Sequence, residues 1–432
     1  MLKSQSFARS SGALWMLAGA LVVCTAAACS DDSTESGADA SADATPDTDV
    51  QGGTDADGSG GTDDGSSSGE PDADTGVEQD GEQEADADGS GEALPDWSSL
   101  ELDAAGPYRV GHRIIEHTYT SPASGLERTI NVHIWYPTEA TEGEPAQYLG
   151  AIFSDLDAFE DVVPSPPIHG ERYPLMAYSH GDQGFAGTSS FLMRHFASHG
   201  WVAVGPDHTG NLLGSTIEPR PTALYLDRAT DMSQSLDVLE GLVAPDPLAG
   251  LVDTERVVIS GHSFGVHSVW TSLGADFAPD KVDNYCVDAG DCTDDMVAAF
   301  LAWPGDDRFV AGIALAGSLR RSWFGDTGHE AVSERVLSMS GSDDLVGADT
   351  QFAETVGVEL AWVEIEGACH QGFALGGCSF ISDEASFRLV NTWSLAFARY
   401  EVLEDRGEAV LSVLRGEDQE GLSNFETRLT VE

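Results

Sequence analysis

The sequence predicts an α/β domain with a mainly parallel sheet and helices on both of its faces. From residue 173 onward, short apolar runs alternate with helical segments, as expected when parallel strands are joined by crossover helices. A Gly-x-Ser-x-Gly motif at residues 261–265 stands between a β-branched run and a helical pattern. A change in composition near residue 97 separates this part of the chain from a long acidic segment.

The predicted strands are short apolar or alternating segments. They comprise residues 108–120, 128–136, 173–179, 201–204, 256–260, 310–315, 335–339 and 361–365. The predicted helices comprise residues 189–198, 226–243, a segment from 266 onward, and 387–403. The turn-rich residues 121–127 join the first two strands, so these should form an antiparallel pair at an edge of the sheet.

Two segments interrupt the alternation. Residues 138–172 contain four prolines and are predicted as a long irregular loop that could flank a functional site. Residues 276–307 contain two cysteines and many acidic residues, and they predict an inserted surface segment or cap.

Composition divides the chain further. Residues 30–96 contain 22 Asp and Glu and no Lys or Arg, so we expect a disordered linker over 29–96. Residues 97–432 are long enough for one large α/β domain, and they carry 52 acidic against 18 basic side chains. Such a negative domain predicts no nucleic-acid partner and no binding to anionic membrane surfaces through its own charge.

Residues 1–28 have the features of an export signal. Lys3 and Arg9 precede an apolar stretch at 12–23, which is too short to span a bilayer well, and small residues then precede Cys29. This resembles a bacterial lipoprotein signal, in which the cysteine is lipidated, although Ala26 replaces the usual leucine. The resemblance implies a lipid-anchored protein of the cell envelope, at the outer membrane or cell surface. Ordinary secretory cleavage at the same place is the alternative.

Four cysteines besides Cys29 remain after the predicted cleavage. They are Cys286, Cys292, Cys369 and Cys378. An even number in an exported chain indicates disulfides, and pairing of near neighbours is the simplest arrangement, although two other connectivities stay open. No Cys-x-x-Cys spacing favours a metal site instead.

Ser263 is the predicted nucleophile. Gly261 and Gly265 allow a tight turn that presents the serine hydroxyl above the carboxyl end of a buried strand. In sites of this kind an acid and then a histidine follow, each after a later strand. His370 is therefore the predicted base and Asp344 the predicted acid, with Asp343 as the less favoured alternative.

The predicted oxyanion hole uses backbone N–H groups. Phe264 supplies one because it follows the nucleophile, and Asp182 supplies the other, with Gln183 next in preference. The Asp182 carboxylate should point away from the site, because it would oppose a developing negative charge. Other histidines should shape loops or the core, and we predict neither a metal nor a cofactor; these histidines are His180, His208, His262 and His267.

These residues resemble the α/β-hydrolase fold, and more narrowly its dienelactone-hydrolase-like and platelet-activating-factor-acetylhydrolase-like branch. The resemblance rests on residues 110–111, 135–137, 179–181, 197–200, 206–211, 261–265 and 370–373. The acetylhydrolases carry their acid one strand earlier, where this chain has no carboxylate at 314–318. Dienelactone hydrolases use a cysteine nucleophile, whereas Ser263 favours ordinary esters.

The predicted function is hydrolysis of carboxylic esters through an acyl-enzyme on Ser263. Short-acyl esters are the preferred small-molecule or lipid-like substrates, followed by oxidised or short-acyl phospholipids and by polyesters. Fold alone does not specify the substrate. A non-catalytic surface binding protein on a hydrolase scaffold and an acyltransferase that excludes water are the other functions considered.

Overall fold

The computed structural model describes residues 96–432. The predicted signal sequence at 1–28, the linker at 29–96 save its last residue, and the lipidation site Cys29 lie outside the described residues.

Eleven strands form a single mixed sheet in the order β11-β10-β9-β8-β7-β5-β6-β2-β1-β4-β3 within the described residues. They are β1 (Arg109–Thr120), β2 (Glu127–Thr138), β3 (Pro145–Tyr148), β4 (Phe153–Glu160), β5 (Tyr173–Ser179), β6 (Val202–Asp207), β7 (Val252–His262), β8 (Phe309–Leu315), β9 (Arg335–Gly341), β10 (Leu360–Ile365) and β11 (Leu422–Thr427).

The helices alternate with the strands from β5 onward. They are α1 (Ser190–Ser198), α2 (Leu224–Glu240), α3 (Phe264–Ser272), α4 (Pro279–Ala289), α5 (Asp294–Leu301), α6 (Arg321–Phe324), α7 (Ala348–Glu354), α8 (Asp383–Val402) and α9 (Glu408–Leu414). Strands β6, β5, β7, β8, β9 and β10 are mutually parallel. The predicted α/β class and the antiparallel pair β1–β2 are thus confirmed.

Both faces of the sheet are buried. The side chains of β5 show this, because they alternate between two apolar clusters. Leu175 and Ala177 belong to one apolar cluster with residues of α2 and α3, whereas Met176 and Tyr178 belong to a second cluster with residues of α1 and α8. Because side chains alternate across a strand, a parallel strand that is covered on both faces consists of consecutive apolar residues. This is why β5 appears as an unbroken apolar run in the sequence.

The prediction of an irregular loop over residues 138–172 is wrong in part. Strands β3 and β4 form an antiparallel pair, and β4 adds to the edge of the sheet by parallel pairing with β1. Half of the side chains of β4 are polar, so its position between β1 and the outermost strand β3 is set by pairing with its neighbours rather than by an apolar pattern. The C-terminal strand β11, which pairs with β10, was also absent from the prediction.

The inserted segment at 276–307 consists of helices α4 and α5. The Cys286–Cys292 disulfide links the end of α4 to the loop before α5, and Cys369–Cys378 is the second disulfide, so the near-neighbour pairing is the one found. Aromatic side chains attach the insert to the domain: the Tyr285 and Phe300 rings stack on Trp323, with centroids 4.0 and 5.2 Å away. Within residues 96–432, no helix is both long and apolar enough to cross a bilayer.

Most histidines of the domain lie in its interior. Burial is the largest cause of a lowered pKa at nine of the twelve; they are His112, His169, His180, His195, His199, His208, His262, His267 and His329. The pKa falls to about 4 at His169 and to about 3 at His195. These imidazoles are therefore neutral in the folded protein near neutral pH.

We expect the free energy of unfolding to decrease as the pH falls from about 6.5 to 5. Each histidine whose pKa burial lowers to about 4 or about 3 takes up a proton in this range only on unfolding, which contributes about 1.4 kcal/mol per pH unit below the unfolded pKa. Asp227, whose pKa burial raises to about 6, acts in the opposite direction but is outnumbered. Urea unfolding followed by tryptophan fluorescence at pH 7.5, 6.5, 5.5 and 5.0 measures this. A midpoint that stays constant over this range would contradict the expectation.

Candidate active site

A strained turn presents Ser263 at the carboxyl end of β7. The serine lies between β7 and α3 with φ 55° and ψ −115°, a conformation that side-chain-bearing residues rarely adopt. A Cβ on Gly261 would lie 2.3 Å from the Gly265 oxygen, and a Cβ on Gly265 would lie 2.0 Å from the Ser179 oxygen. Only glycine at these two positions lets β7, α3 and β5 approach closely enough for the turn.

His370 connects the serine to an acid. Its Nε2 lies 2.8 Å from Ser263 Oγ, and its Nδ1 lies 3.0 Å from Asp344 Oδ2. Because a carboxylate accepts, Nδ1 carries the hydrogen and Nε2 presents its lone pair to the serine hydroxyl. The Asp344 side chain is 7 % exposed and that of His370 is 25 % exposed. The imidazole is thus open to a substrate while the acid is shielded.

The structure brings together Asp344, not Asp343, with the histidine. Both acids follow β9, but the Asp343 side chain is exposed and its N–H donates to the Ala368 oxygen at 2.9 Å. The Asp344 N–H donates to the Gly341 oxygen at 3.1 Å, which forms a turn that directs its carboxylate to His370. Spacing in the sequence favoured Asp344, and the turn explains the choice.

Two backbone N–H groups beside Ser263 are free. Among the described residues, neither the Phe264 N–H nor the Asp182 N–H donates a hydrogen bond. The loop after β5 lies against the serine, since a Cβ on Gly181 would be 3.2 Å from the Ser263 Cβ. These are the two donors that the sequence analysis assigns to an oxyanion hole. The Asp182 carboxylate accepts from Asn211 Nδ2 at 2.6 Å and from Arg220 at 2.8 Å, so its charge is paired.

A buried arginine holds the loop after β5. Arg228 is fully buried on α2, and it donates to Asn211 Oδ1 at 2.7 Å, to Ser179 Oγ at 3.1 Å and to the His180 oxygen. Burial lowers its pKa to about 9, so the guanidinium remains charged at neutral pH. The sequence prediction missed this residue. Its signal was weak: a single arginine in a helix of mixed composition, directly after Asp227.

The loop that carries His370 is fixed at both ends. Cys369, directly before the histidine, forms a disulfide with Cys378, and the Phe373 oxygen accepts from Ser189 Oγ at 2.9 Å. His262 supports the loop from below, since its Nε2 donates to the His370 oxygen at 3.0 Å. Burial and then the neighbouring His370 lower the pKa of His262 to about 3, so it acts as a neutral donor. This contact is another that spacing did not indicate.

The remaining histidines near the site bind protein groups. The His208 ring contacts Asp231 Oδ2 and Ser179 Oγ, both at 2.8 Å. The backbone N–H of His208 donates to His180 Nε2 at 3.0 Å. His267 donates to the Tyr225 oxygen at 2.9 Å. Over residues 96–432, no group of three His, Cys, Asp or Glu side chains is arranged to hold a metal ion.

The similarity of this chain to known proteins is distant. No family model matches the chain. It is similar to the platelet-activating factor acetylhydrolase of Cavia porcellus, with 23 % identity over 400 residues, which covers 76 % of this chain and 84 % of that protein. The similarity therefore extends over most of the α/β unit. With a mostly parallel sheet and a serine turn of this kind, the chain is a distant homologue of platelet-activating factor acetylhydrolase, within the α/β-hydrolase superfamily.

Proposed function

We propose that this protein is a serine hydrolase that cleaves carboxylic esters. The observation that carries the proposal is the hydrogen-bonded chain from Asp344 through His370 to Ser263, which lies beside two unpartnered N–H groups. This arrangement supplies a nucleophile, a base and an oxyanion site within reach of one reacting carbonyl. The distant relationship to an acetylhydrolase supports the same reaction class.

Acylation follows from the geometry. Ser263 Oγ attacks the ester carbonyl while His370 Nε2 takes its proton, and Asp344 stabilises the imidazolium that forms. The carbonyl oxygen becomes an oxyanion, which accepts from the N–H groups of Phe264 and Asp182. The bond to the alcohol oxygen then breaks, and His370 returns the proton to the departing alcohol. An acyl ester on Ser263 remains.

Deacylation reverses these roles with water. His370 takes a proton from a water molecule, whose oxygen attacks the acyl carbonyl, and the same two N–H groups bind the second oxyanion. Collapse of this intermediate releases the carboxylic acid and restores the serine hydroxyl. The exposed edge of the imidazole supports water as the acceptor, rather than a site closed to it.

Short-acyl esters are the proposed substrates, and short-acyl phospholipids are the second candidate. Both are supported by the name of the relative, which describes hydrolytic removal of an acetyl group from platelet-activating factor. The two candidates are distinguished by measuring hydrolysis rates for p-nitrophenyl esters with acyl chains of two to twelve carbons and for a short-acyl phospholipid. Hydrolysis of the simple esters without the phospholipid favours the first candidate.

Replacement of Ser263 by Ala should reduce hydrolysis of p-nitrophenyl acetate by at least about 10⁴-fold, because the nucleophile is lost. The matched control is Ser260→Ala, which removes a buried hydroxyl without a hydrogen-bond partner three residues away. Rates and labelling by a fluorophosphonate probe measure the effect. Full activity in the Ser263 variant would exclude the acyl-enzyme route, and absence of labelling in the wild type would indicate a binding protein.

Replacement of Asp344 by Asn should reduce kcat by about 10³- to 10⁴-fold, because an amide cannot stabilise the imidazolium and favours the wrong tautomer. Asp343→Asn is the control, since this neighbouring side chain is exposed and makes no contact with the imidazole. Equal losses in the two variants, measured by steady-state kinetics at pH 7.5, would refute the assignment of the acid.

We also propose that the protein is exported and anchored by a lipid on Cys29. The support is the order of a basic region, an apolar stretch and small residues before this cysteine, followed by a long acidic segment that suits a tether. In a bacterial host that processes lipoproteins, Cys29→Ser should move the protein from the membrane pellet to the soluble fraction. Cys24→Ser, within the signal, is the control. Palmitate labelling that persists in the Cys29 variant would contradict the anchor.

A further inference from the structure

Three guanidinium groups surround Phe264, the residue that follows the proposed nucleophile. The Cζ atoms of Arg220, Arg228 and Arg320 lie 5.1, 4.5 and 4.8 Å from the centroid of its ring. The ring itself is 1 % exposed. Each contact is a cation–π interaction, but three like charges around one ring also repel one another.

The acidic side chains of the domain neutralise this cluster only in part. Arg220 has one carboxylate partner, Asp182, at 2.8 Å. The hydrogen bonds of Arg228 go to neutral oxygen atoms, as described above. Within residues 96–432, the Arg320 guanidinium makes no ion pair and no hydrogen bond, and the ring of Phe264 is its contact. A half-buried arginine without a carboxylate is unexpected where 52 acidic residues face 18 basic ones.

The loop that carries Arg320 lies beside the proposed nucleophile, and its guanidinium contacts the residue after that nucleophile. Arg320 follows β8 in a loop that runs against the serine turn, since a Cβ on Gly317 of this loop would lie 2.5 Å from the Ser263 oxygen. Arg320 therefore reaches Phe264 from the β8 side, while Arg220 and Arg228 reach it from α2 and the segment before it. Arg228 is fully buried and already bonded, which leaves Arg220 and Arg320 as the groups that a ligand can contact.

We propose that Arg320, together with Arg220, forms a subsite for an anionic group of the substrate, so that the preferred esters carry a carboxylate or a phosphate near the scissile bond. This inference rests on the proposed hydrolase function and specifies its substrates. A guanidinium binds either anion through two parallel hydrogen bonds, and an anion here would relieve the repulsion among the three cations. It would also give a negative domain a local attraction for a negative substrate.

The test compares two esters that differ by one charge. Mono-p-nitrophenyl adipate ends in a free carboxylate, and its methyl ester is the neutral counterpart with the same leaving group. We expect wild-type kcat/KM to be at least about tenfold higher for the anionic ester, mainly through a lower KM. Arg320→Gln should reduce this ratio about tenfold, and Arg320→Lys should restore part of it.

Arg321→Gln is the matched control, because this neighbouring arginine is paired with Glu354 at 3.2 Å and should keep the wild-type ratio. Competitive inhibition by inorganic phosphate and by free adipate, measured with p-nitrophenyl acetate, identifies which anion the subsite prefers. Stronger inhibition by phosphate assigns a phosphate-bearing substrate, and stronger inhibition by adipate assigns a carboxylate-bearing one. A structural role of Arg320 alone would lower kcat/KM for both esters equally and leave the ratio unchanged.

The two proposals fail in different ways. If the wild type hydrolyses the neutral ester but shows no charge preference and no inhibition by either anion, the subsite is refuted and the hydrolase stands. If neither ester is hydrolysed, the hydrolase function fails. The subsite is then tested by calorimetric titration of the Ser263→Ala protein with adipate and with inorganic phosphate. Binding that weakens in the Ser263→Ala, Arg320→Gln double variant supports the subsite. Absence of binding rejects it.

Discussion

The candidate site depends on the hydrogen bond between His370 and Ser263. The serine is fixed by a strained turn after β7, and the histidine is fixed by a disulfide, a buried imidazole and the acid after β9. Neither residue would hold its place without the parallel order of the central strands, because only parallel strands bring successive carboxyl ends to one edge of a sheet. The packing of the domain core thus positions His370 Nε2 at 2.8 Å from Ser263 Oγ.

Burial of polar groups is the second constraint on this structure. Most histidines are neutral donors or acceptors inside the domain, and Arg228 carries a charge that is stabilised by neutral oxygen atoms. A buried cation that has no carboxylate among its hydrogen-bond partners produces a positive field near the unpartnered N–H groups of Phe264 and Asp182. Because the domain has so many acidic residues, this interior positive charge gives the site a local potential opposite in sign to that of the domain as a whole.

Departures from the predicted fold fall at the edges of the sheet. Central strands such as β5 and β7 are covered on both faces, so their apolar runs are long enough to identify. The outer strands β3, β4 and β11 have mixed composition and begin or end near proline, glycine or charged residues, which made β3 and β4 resemble a loop. The pairing of these strands depends on a neighbouring strand, and local sequence patterns do not indicate it.

The sequence by itself determined the class of the fold. It also predicted Ser263, His370 and one of the acids Asp343 and Asp344 as site residues, because a tight serine turn and loops after parallel strands are visible in glycine spacing and apolar runs. It favoured Asp344 but did not decide between the two acids. It could not place the arginines around Phe264 or the support of His370 by His262. Those contacts join side chains that are far apart in the chain and carry no local repeat. Only the tertiary structure decided them, because the distance between two helices or loops is set by the packing of the whole sheet.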